Sequence, residues 1–557
     1  MGGKGWLYLA LVVCLALRVP GWFTQDHKAP WQTFEPDEGQ HVHVATQRFN
    51  DLYAGEKVGN YGSEPWNVRG YGHAMAYVAY GWYAVSGQVP NFTGFIKLGR
   101  QLSTLFALLL VLVVYSIGRA SGLDPPVAGF GAFLLAVCDV NATYSHYCLP
   151  AVGYVLGCYL AVLGGLGLLR AAEAGGTLTA GSLPLWGPGG QSRRSTFTRT
   201  DRWRSLLQLS VGTAIALTFK FDVMPLLWGG LLLLVLTFRR RAPRLSWKYL
   251  AGGIALLGTM VFALLYGWSW ENIQSTFTTL SELNRNGVPQ DDHLRDNLVV
   301  YPAGVVAGIG LPVILLAVYG LYRWLGKLRG RERSGSVFGS VGWLSLFYVA
   351  GWLGSEFLVR WSVDTAFIRR VNVFMPAVCV LAAYGWAVAR KGARSPVRWD
   401  WIGKGIAIYT FCFALVGQLN HWKDTRYAMR EWIATELPAD AVIATSNYVG
   451  HKGLRSTRYF MDVDWDYAVL HESFYRRYAR SMTTPFGLPE CCAEVYNCGP
   501  AGQCEQMQAL LTGSDPDAYL LKSFEPLEIF PERWAYRQFF GYYETYLGAT
   551  LVYAKRR

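Results

Sequence analysis

Two adjacent carboxylates, Asp37 and Glu38, stand a few residues after an apolar run of membrane length, in the stretch Phe34-Glu35-Pro36-Asp37-Glu38-Gly39-Gln40-His41-Val42-His43. Acidic side chains at a membrane edge are costly unless they face water or take part in chemistry. A carboxylate in that place can take a proton from an attacking hydroxyl. The plain structural alternative is that both acids sit in the first turn of a following helix, where the dipole favours them. His41, His43, His73 and His146 also fall between apolar runs. With Glu38 they could hold a divalent cation, since imidazole plus carboxylate suits zinc or manganese. Their spacing follows no strong metal motif, and His41 and His43 point to different sides of a helix.

The elements that position these groups belong to a membrane. Of 557 residues, 52% are hydrophobic and 16% charged, which is too apolar for a soluble chain of this length. The 22 Trp, 33 Tyr and 28 Phe suit membrane–water interfaces. A net charge of +13 raises nucleic acid as a partner. The basic residues, however, cluster in short loops between apolar runs, a topology pattern that argues for no nucleic-acid binding. Eleven stretches read as spans: 5–23, 98–118, 126–140, 151–169, 206–219, 223–238, 249–268, 302–322, 337–358, 371–389 and 402–418. The first follows Lys4 but precedes no small-x-small cleavage site, so it reads as a retained helix.

Arg193, Arg194, Arg239, Arg240, Arg241, Arg329, Arg331, Arg390 and Lys391 fall in alternate loops, and Asp37, Glu38, Asp139, Asp222, Asp291 and Asp364 in the others. The basic loops face the cytoplasm. This places the N-terminus inside and leaves two large extracytoplasmic segments, 24–96 and 420–557. The expected fold is mainly α: a polytopic transmembrane module over 1–419 and a soluble extracytoplasmic α/β domain over 420–557. Within 24–96, Val42, Ala45, Phe49 and Leu52 recur at helical spacing and predict a helix over 37–52, with Asp37 and His41 on one face. The Tyr- and Trp-rich stretch 73–85 predicts an interfacial helix. The tail predicts a helix over 427–437 ended by Pro438, a basic helix over 473–482, and strands over 441–446, 518–524 and 550–554. The Gly-, Ser-, Thr- and Arg-rich stretch 172–204 reads as a flexible loop.

Cys14, Cys138, Cys158, Cys379 and Cys412 lie in apolar segments and read as small core residues. Cys491, Cys492, Cys498 and Cys504 suit one or two disulfides better than zinc. Asn91-Phe92-Thr93 and Asn141-Ala142-Thr143 are formal glycosylation sequons, short matches common by chance.

Several of these residues stand in a recurring order. Pro36-Asp37-Glu38-x-x-His41 follows the first span. Arg100-Gln101-Leu102-Ser103 opens a span ending Tyr115-Ser116-Ile117-Gly118-Arg119. Tyr144-Ser145-His146-Tyr147 closes the third, and Arg369-Arg370-Val371-Asn372-Val373-Phe374-Met375-Pro376 enters a late one. In these places the chain resembles the GT-C superfamily of integral-membrane glycosyltransferases, in the branch of protein O-mannosyltransferases and the lipid A aminoarabinose transferase. It departs from that pattern at Cys148-Leu149-Pro150-Ala151-Val152, where many relatives carry an acid, and at Arg370 and Val371, where an aromatic follows the late arginine.

The resemblance implies transfer of a sugar from a polyprenyl-phosphate-linked donor lipid to an extracytoplasmic acceptor, a hydroxyl of a glycan, lipid or protein, within surrounding membrane lipids. It implies Asp37 as general base and Glu38 as an orienting, acceptor-binding or metal-holding neighbour. Arg369 and Arg370, with Lys220 and Arg100, become the candidate phosphate clamp, since guanidinium forks bind phosphate oxygens in pairs. His41, His73 and His146 are candidate substrate contacts. Lys220 also fits a simple pair with Asp222, and Arg100 a snorkelling interfacial residue. Two other classes share the apolar pattern: a transporter or flippase of lipid-linked sugars, and a non-catalytic subunit of an envelope-assembly complex. Charges at external loops and the absence of an inverted repeat favour an enzyme.

Overall fold

The computed structural model describes residues 3–23, 36–55, 69–175, 199–220, 247–267, 270, 274, 293–329, 368–446, 449, 455–456, 464–472, 509–540 and 548–556. The first apolar run forms α1 (Gly3–Arg18), which closes in a 3-10 turn over Val19–Trp22 where Pro20 enters. Helix α2 (Pro36–Leu52) begins on a proline, whose missing N–H costs nothing in a first turn. It is followed by α3 (Arg69–Ser86) and α4 (Phe92–Ala120). The predicted helices over 37–52 and 73–85 are thus both present. Asn91 caps α4 by accepting a hydrogen bond from the Gly94 amide at 2.8 Å, so that sequon residue works as a helix cap.

The chain continues through α5 (Pro125–Ala136), α6 (Asp139–Tyr144), α7 (Ala151–Gly175), α8 (Arg199–Lys220) and α9 (Trp247–Tyr266). Then come α10 (His293–Ile309), α11 (Leu311–Arg329), a 3-10 turn over Ile368–Val373, α12 (Met375–Gly392) and α13 (Pro396–Trp422). The stretch 172–204 is helical at both ends, in α7 and α8, and its middle lies outside the described residues. So do the expected spans 223–238 and 337–358, the basic helix 473–482 and the four late cysteines.

Among the described residues, four helices are long and apolar enough to cross a membrane: Lys4–Trp22, Phe92–Ala120, Ala151–Leu168 and Pro396–Glu436. Their outer faces carry exposed apolar side chains, such as Tyr8 and Val12 on α1 and Ile408 on α13. Large exposed apolar faces are tolerated only against lipid or a partner. The protein is an integral membrane protein, mainly α. Cys412, expected in the core, is exposed on α13, while Cys14, Cys138, Cys158 and Cys379 are buried.

The expected span over 302–322 is broken into two helices. The chain bends by 117° between α10 and α11. Gly310 stands at the break with φ of 91°, a left-handed conformation open to glycine, and Pro312 follows. The first amide of α11 is capped from far away: Glu532 accepts from Leu311 N at 3.0 Å and from the Tyr409 hydroxyl at 2.7 Å.

Helices inside a membrane gain no hydrophobic drive from meeting, so small residues that let backbones touch matter more. At the α11–α12 crossing, a Cβ on Gly385 would run into the Leu316 carbonyl oxygen, and one on Gly320 into that of Leu381. Gly157 and Gly212 do the same between α7 and α8. Gly385→Val is expected to force the α11–α12 crossing apart at a cost of about 1–3 kcal/mol. Thermal unfolding of the detergent-solubilised chain checks this, and an unshifted midpoint contradicts the close crossing.

After α13 comes α14 (Thr425–Glu436), then β1 (Ile443–Thr445), β2 (Arg455–Ser456), β3 (Tyr467–His471), β4 (Ala518–Phe524), α15 (Pro531–Phe540) and β5 (Thr550–Lys555). The five strands run in the order β2-β1-β3-β5-β4. β1 pairs parallel with β2 and β3, while β5 lies antiparallel between β3 and β4. Met429 and Ile433 of α14 cover Val469 and Val552 on one face, and Leu510 packs with Ala468 and Tyr553 on the other. The predicted tail helix and its three strands are in place.

Helix α15 is bonded both to the sheet and to the helices before it. Arg537 forks onto Glu472 at the end of β3, at 2.9 and 2.6 Å. Arg533 pairs with buried Asp139 at the start of α6 and donates to the Phe413 carbonyl of α13.

Candidate active site

Arg100 is buried within α4, and its guanidinium reaches Glu38 in the first turn of α2. Nε donates to one carboxylate oxygen and Nη2 to the other, both at 2.9 Å. This planar two-bond fork is the strong form of an arginine–carboxylate contact. Glu38 also accepts from the Cys148 amide at 2.8 Å, and Arg100 Nη1 donates to the Gly21 carbonyl at 3.2 Å. One ion pair therefore ties together the end of α1, the start of α2, α4 and the loop before α7. Tyr71 of α3 reinforces the same junction, its hydroxyl 2.7 Å from the Gly99 carbonyl and 2.7 Å from Ser103 Oγ. The ring of His41 stands edge-on to Tyr71, with centroids 5.3 Å apart. Asp37 is the residue before Glu38 in that turn; its side chain lies outside the described residues.

The remaining sequence-predicted residues divide. His73 packs against the end of α9, where its Nδ1–H donates to the Leu264 carbonyl at 2.7 Å. Tyr77 does likewise to Ala263 at 2.9 Å. Both satisfy carbonyls that the last turn of a helix leaves open, so His73 fastens α3 to α9. His146 is fully buried beside the Glu38–Arg100 junction. Its ring lies so close to Gly21 that a Cβ there would overlap it. Lys220 ends α8, and Arg369 and Arg370 belong to the 3-10 turn over Ile368–Val373; their side chains lie outside the described residues.

Sequence reasoning missed several residues gathered here. His421 near the end of α13 lies against His146, with ring centroids 4.4 Å apart, and edge-on to Tyr147 at 5.2 Å. Gln418, one turn earlier, donates to Asp139 at 3.3 Å. Arg18 at the end of α1 is buried and donates to Asn141 Oδ1 at 2.9 Å, and Asn141 Nδ2 donates to Asn372 Oδ1 at 3.1 Å. The Asn141 sequon is thereby sealed inside the protein. A charged residue at the end of an apolar run was the available signal for Arg18. Asn372 lies inside the Arg369–Pro376 stretch but no residue type there singles it out, and nothing in the local sequence marks His421. Among the described residues no three His, Cys, Asp or Glu side chains gather as a metal site, and Glu38 is engaged by Arg100.

Burial holds the His73 ring neutral, pushed down to about 4, with Arg48 and Arg69 adding to the effect. Burial, then Arg18 and Arg100, pushes His146 down to about 3. Both folded values lie below the unfolded one near 6.5, so the unfolded chain binds more protons on acidification. Their contribution to stability is whole above about pH 6.5 and is lost as pH falls from there, at about 2 kcal/mol per histidine by pH 5. The expected result is an unfolding temperature that drops between pH 7.5 and pH 5, and drops less in His73→Gln and His146→Gln. Equal slopes in all three proteins contradict it.

Comparison with protein-family models and with curated proteins gave no match. Among solved structures, ArnT from Cupriavidus metallidurans in the apo state is similar, with a TM-score of 0.48 and 14% identity over 86% of this chain and 95% of that one. The apo oligosaccharyltransferase from Archaeoglobus fulgidus has a TM-score of 0.46 and 12% identity over 96% of this chain and 80% of that one. The S. cerevisiae protein O-mannosyltransferase Pmt1-Pmt2 complex bound to the sugar donor has a TM-score of 0.32 and 17% identity over 52% of this chain and 35% of that one.

Proposed function

We propose that this protein is a membrane glycosyltransferase that moves one sugar from a polyprenyl-phosphate carrier to an acceptor hydroxyl outside the cytoplasm. The observation that carries the reading is the buried Glu38–Arg100 fork. It commits one of two adjacent carboxylates to structure and anchors the turn that presents the other. Asp37 is then the general base. It takes the proton of the acceptor hydroxyl as that oxygen bonds to the anomeric carbon. The bond from that carbon to the carrier phosphate breaks on the opposite side, and the polyprenyl phosphate leaves with the electron pair, giving inversion. Arg369 and Arg370 stabilise the leaving phosphate as charge builds on it.

Convergence of segments far apart in the sequence supports one catalytic end. The end of α1, the start of α2, the loop before α7, the end of α13 and the turn preceding α12 meet around Arg100, His146 and Asn141. Each of those segments falls on the extracytoplasmic side in the charge alternation. The active site and the domain over 420–557 then face away from the cytoplasm, and the N-terminus faces it.

The test is incubation of the purified chain with a radiolabelled polyprenyl-phosphate sugar and candidate glycan, lipid and protein acceptors. Label appearing covalently on an acceptor, with polyprenyl phosphate released in equal amount, is the expected result. Label that crosses the bilayer of a proteoliposome while still joined to its carrier would identify a flippase instead.

A further inference from the structure

The chain of side chains from Arg18 to Asn372 has a fixed direction. A guanidinium can only donate. Arg18 donates from Nη1 to the Cys14 carbonyl at 3.0 Å and to that of Ala136 at 3.1 Å, and from Nη2 to Asn141 at 2.9 Å. Asn141 must therefore turn its oxygen to Arg18 and its amide nitrogen to Asn372. Asn372 must in turn receive that N–H on its own oxygen. The orientation of both amides, ordinarily ambiguous, follows from Arg18. The Nδ2 group of Asn372 is left facing away, and it has no hydrogen-bond partner among the described residues although Asn372 is 1% exposed.

A buried donor without an acceptor is disfavoured, so its persistence asks what it serves. Two facts point to an anionic acceptor, and a third fixes the turn that presents the donor. First, the relay is polarised throughout by a buried positive charge, and no carboxylate of the described residues lies within 4 Å of Arg18 to offset it. Second, Asn372 stands in the same 3-10 turn as Arg369 and Arg370. Residues three apart lie over one another in such a turn, so positions 369 and 372 share an edge. Third, the turn is held from the other side: Tyr159 of α7 donates to the Val373 carbonyl at 2.8 Å and accepts from the Ala377 amide at 3.2 Å. The turn is pinned at both Asn372 and Val373.

We infer that the Nδ2 group of Asn372 is a donor to a phosphate oxygen, oriented and strengthened by Arg18 through Asn141. The inference rests on the reading of the Arg369–Arg370 turn as the phosphate site and names a further contact in it. The phosphate can arrive on a lipid or free in solution.

The test titrates undecaprenyl phosphate, and separately inorganic phosphate, into the full chain in phosphatidylcholine nanodiscs, read by tryptophan fluorescence. Saturable binding of the lipid alone assigns the phosphate to a lipid carrier; binding of both assigns it to the phosphate group itself. Asn372→Asp can still accept from Asn141 but presents an oxygen where the donor was. Asn141→Asp still accepts from Arg18 but cannot donate, so Asn372 must turn round. Each is expected to weaken phosphate binding by about tenfold to a hundredfold. Both variants keep a partner for each neighbour; Asn372→Ala, which loses the donor without adding a charge, is expected to weaken phosphate binding too, and wild-type affinity in it marks the losses in the two aspartate variants as charge repulsion and overturns the inference. Wild-type affinity in both variants, with Arg369→Ala weakened, overturns the inference and leaves the site standing. Wild-type affinity in Arg369→Ala as well removes phosphate from this turn altogether. Where Asn372→Asp fails to fold, Asn141→Asp decides.

Discussion

Arg100→Met is expected to destabilise the protein by about 3–5 kcal/mol, because it leaves the Glu38 carboxylate buried without its counter-charge. Both side chains of the pair are within 1% of full burial. Methionine fills most of the arginine's space but offers no donor. The loss extends beyond the pair, since Arg100 also holds the Gly21 carbonyl at the end of α1. The measurement is thermal unfolding in detergent of wild type, Arg100→Met, Glu38→Gln and the double variant. Replacing both charges removes the stranded ion, so the double variant should recover part of the stability lost in Arg100→Met. It should not recover transfer, because the turn carrying Asp37 loses its anchor. An Arg100→Met protein that melts with wild type would show that the fork holds nothing together.

The parts of the fold visible in the sequence were those set by local pattern. Helix α2 follows from the recurrence of Val42, Ala45, Phe49 and Leu52, all but the last fully buried. The strands β4 and β5 follow from short apolar runs. The break at Gly310 was hidden because its surroundings are uniformly apolar, and its cap, Glu532, comes from the far end of the chain.

The site divides along the same line. Arg100 and Glu38 could each be singled out by type, as charges beside apolar runs, but not as each other's partner. Their pairing is a tertiary fact, made by packing α2 against α4. His146 was found through its neighbours Ser145 and Tyr147, whereas His421, which its ring lies against, sits in an ordinary apolar helix end. His73 was singled out by its residue type alone, and its bond to Leu264, which fastens α3 to α9, is a tertiary contact that no local pattern shows. Asn141 reads locally as a sequon and becomes, once buried, the middle of a relay.

The second large effect concerns the carboxylate that remains. Asn at position 37 keeps the size of the aspartate and its place in the first turn of α2, and it removes only the capacity to accept a proton. Glu38, Arg100 and the Cys148 amide keep their contacts in that variant. The fold is therefore expected to survive with an unchanged unfolding temperature, while transfer falls by about 10²–10⁴-fold, the usual contribution of a general base. Binding of the donor lipid should be little altered, since the proposed phosphate contacts, Arg369 and Arg370, stand in the turn over Ile368–Val373 rather than in α2.

Sugar transfer from a polyprenyl-phosphate donor by purified wild-type and Asp37→Asn protein, at matched folding, is the most direct test. Transfer by the wild type and its near-complete loss in Asp37→Asn is the predicted result. Transfer at the wild-type rate in Asp37→Asn would contradict the assignment of Asp37 as the base on which the proposed mechanism depends.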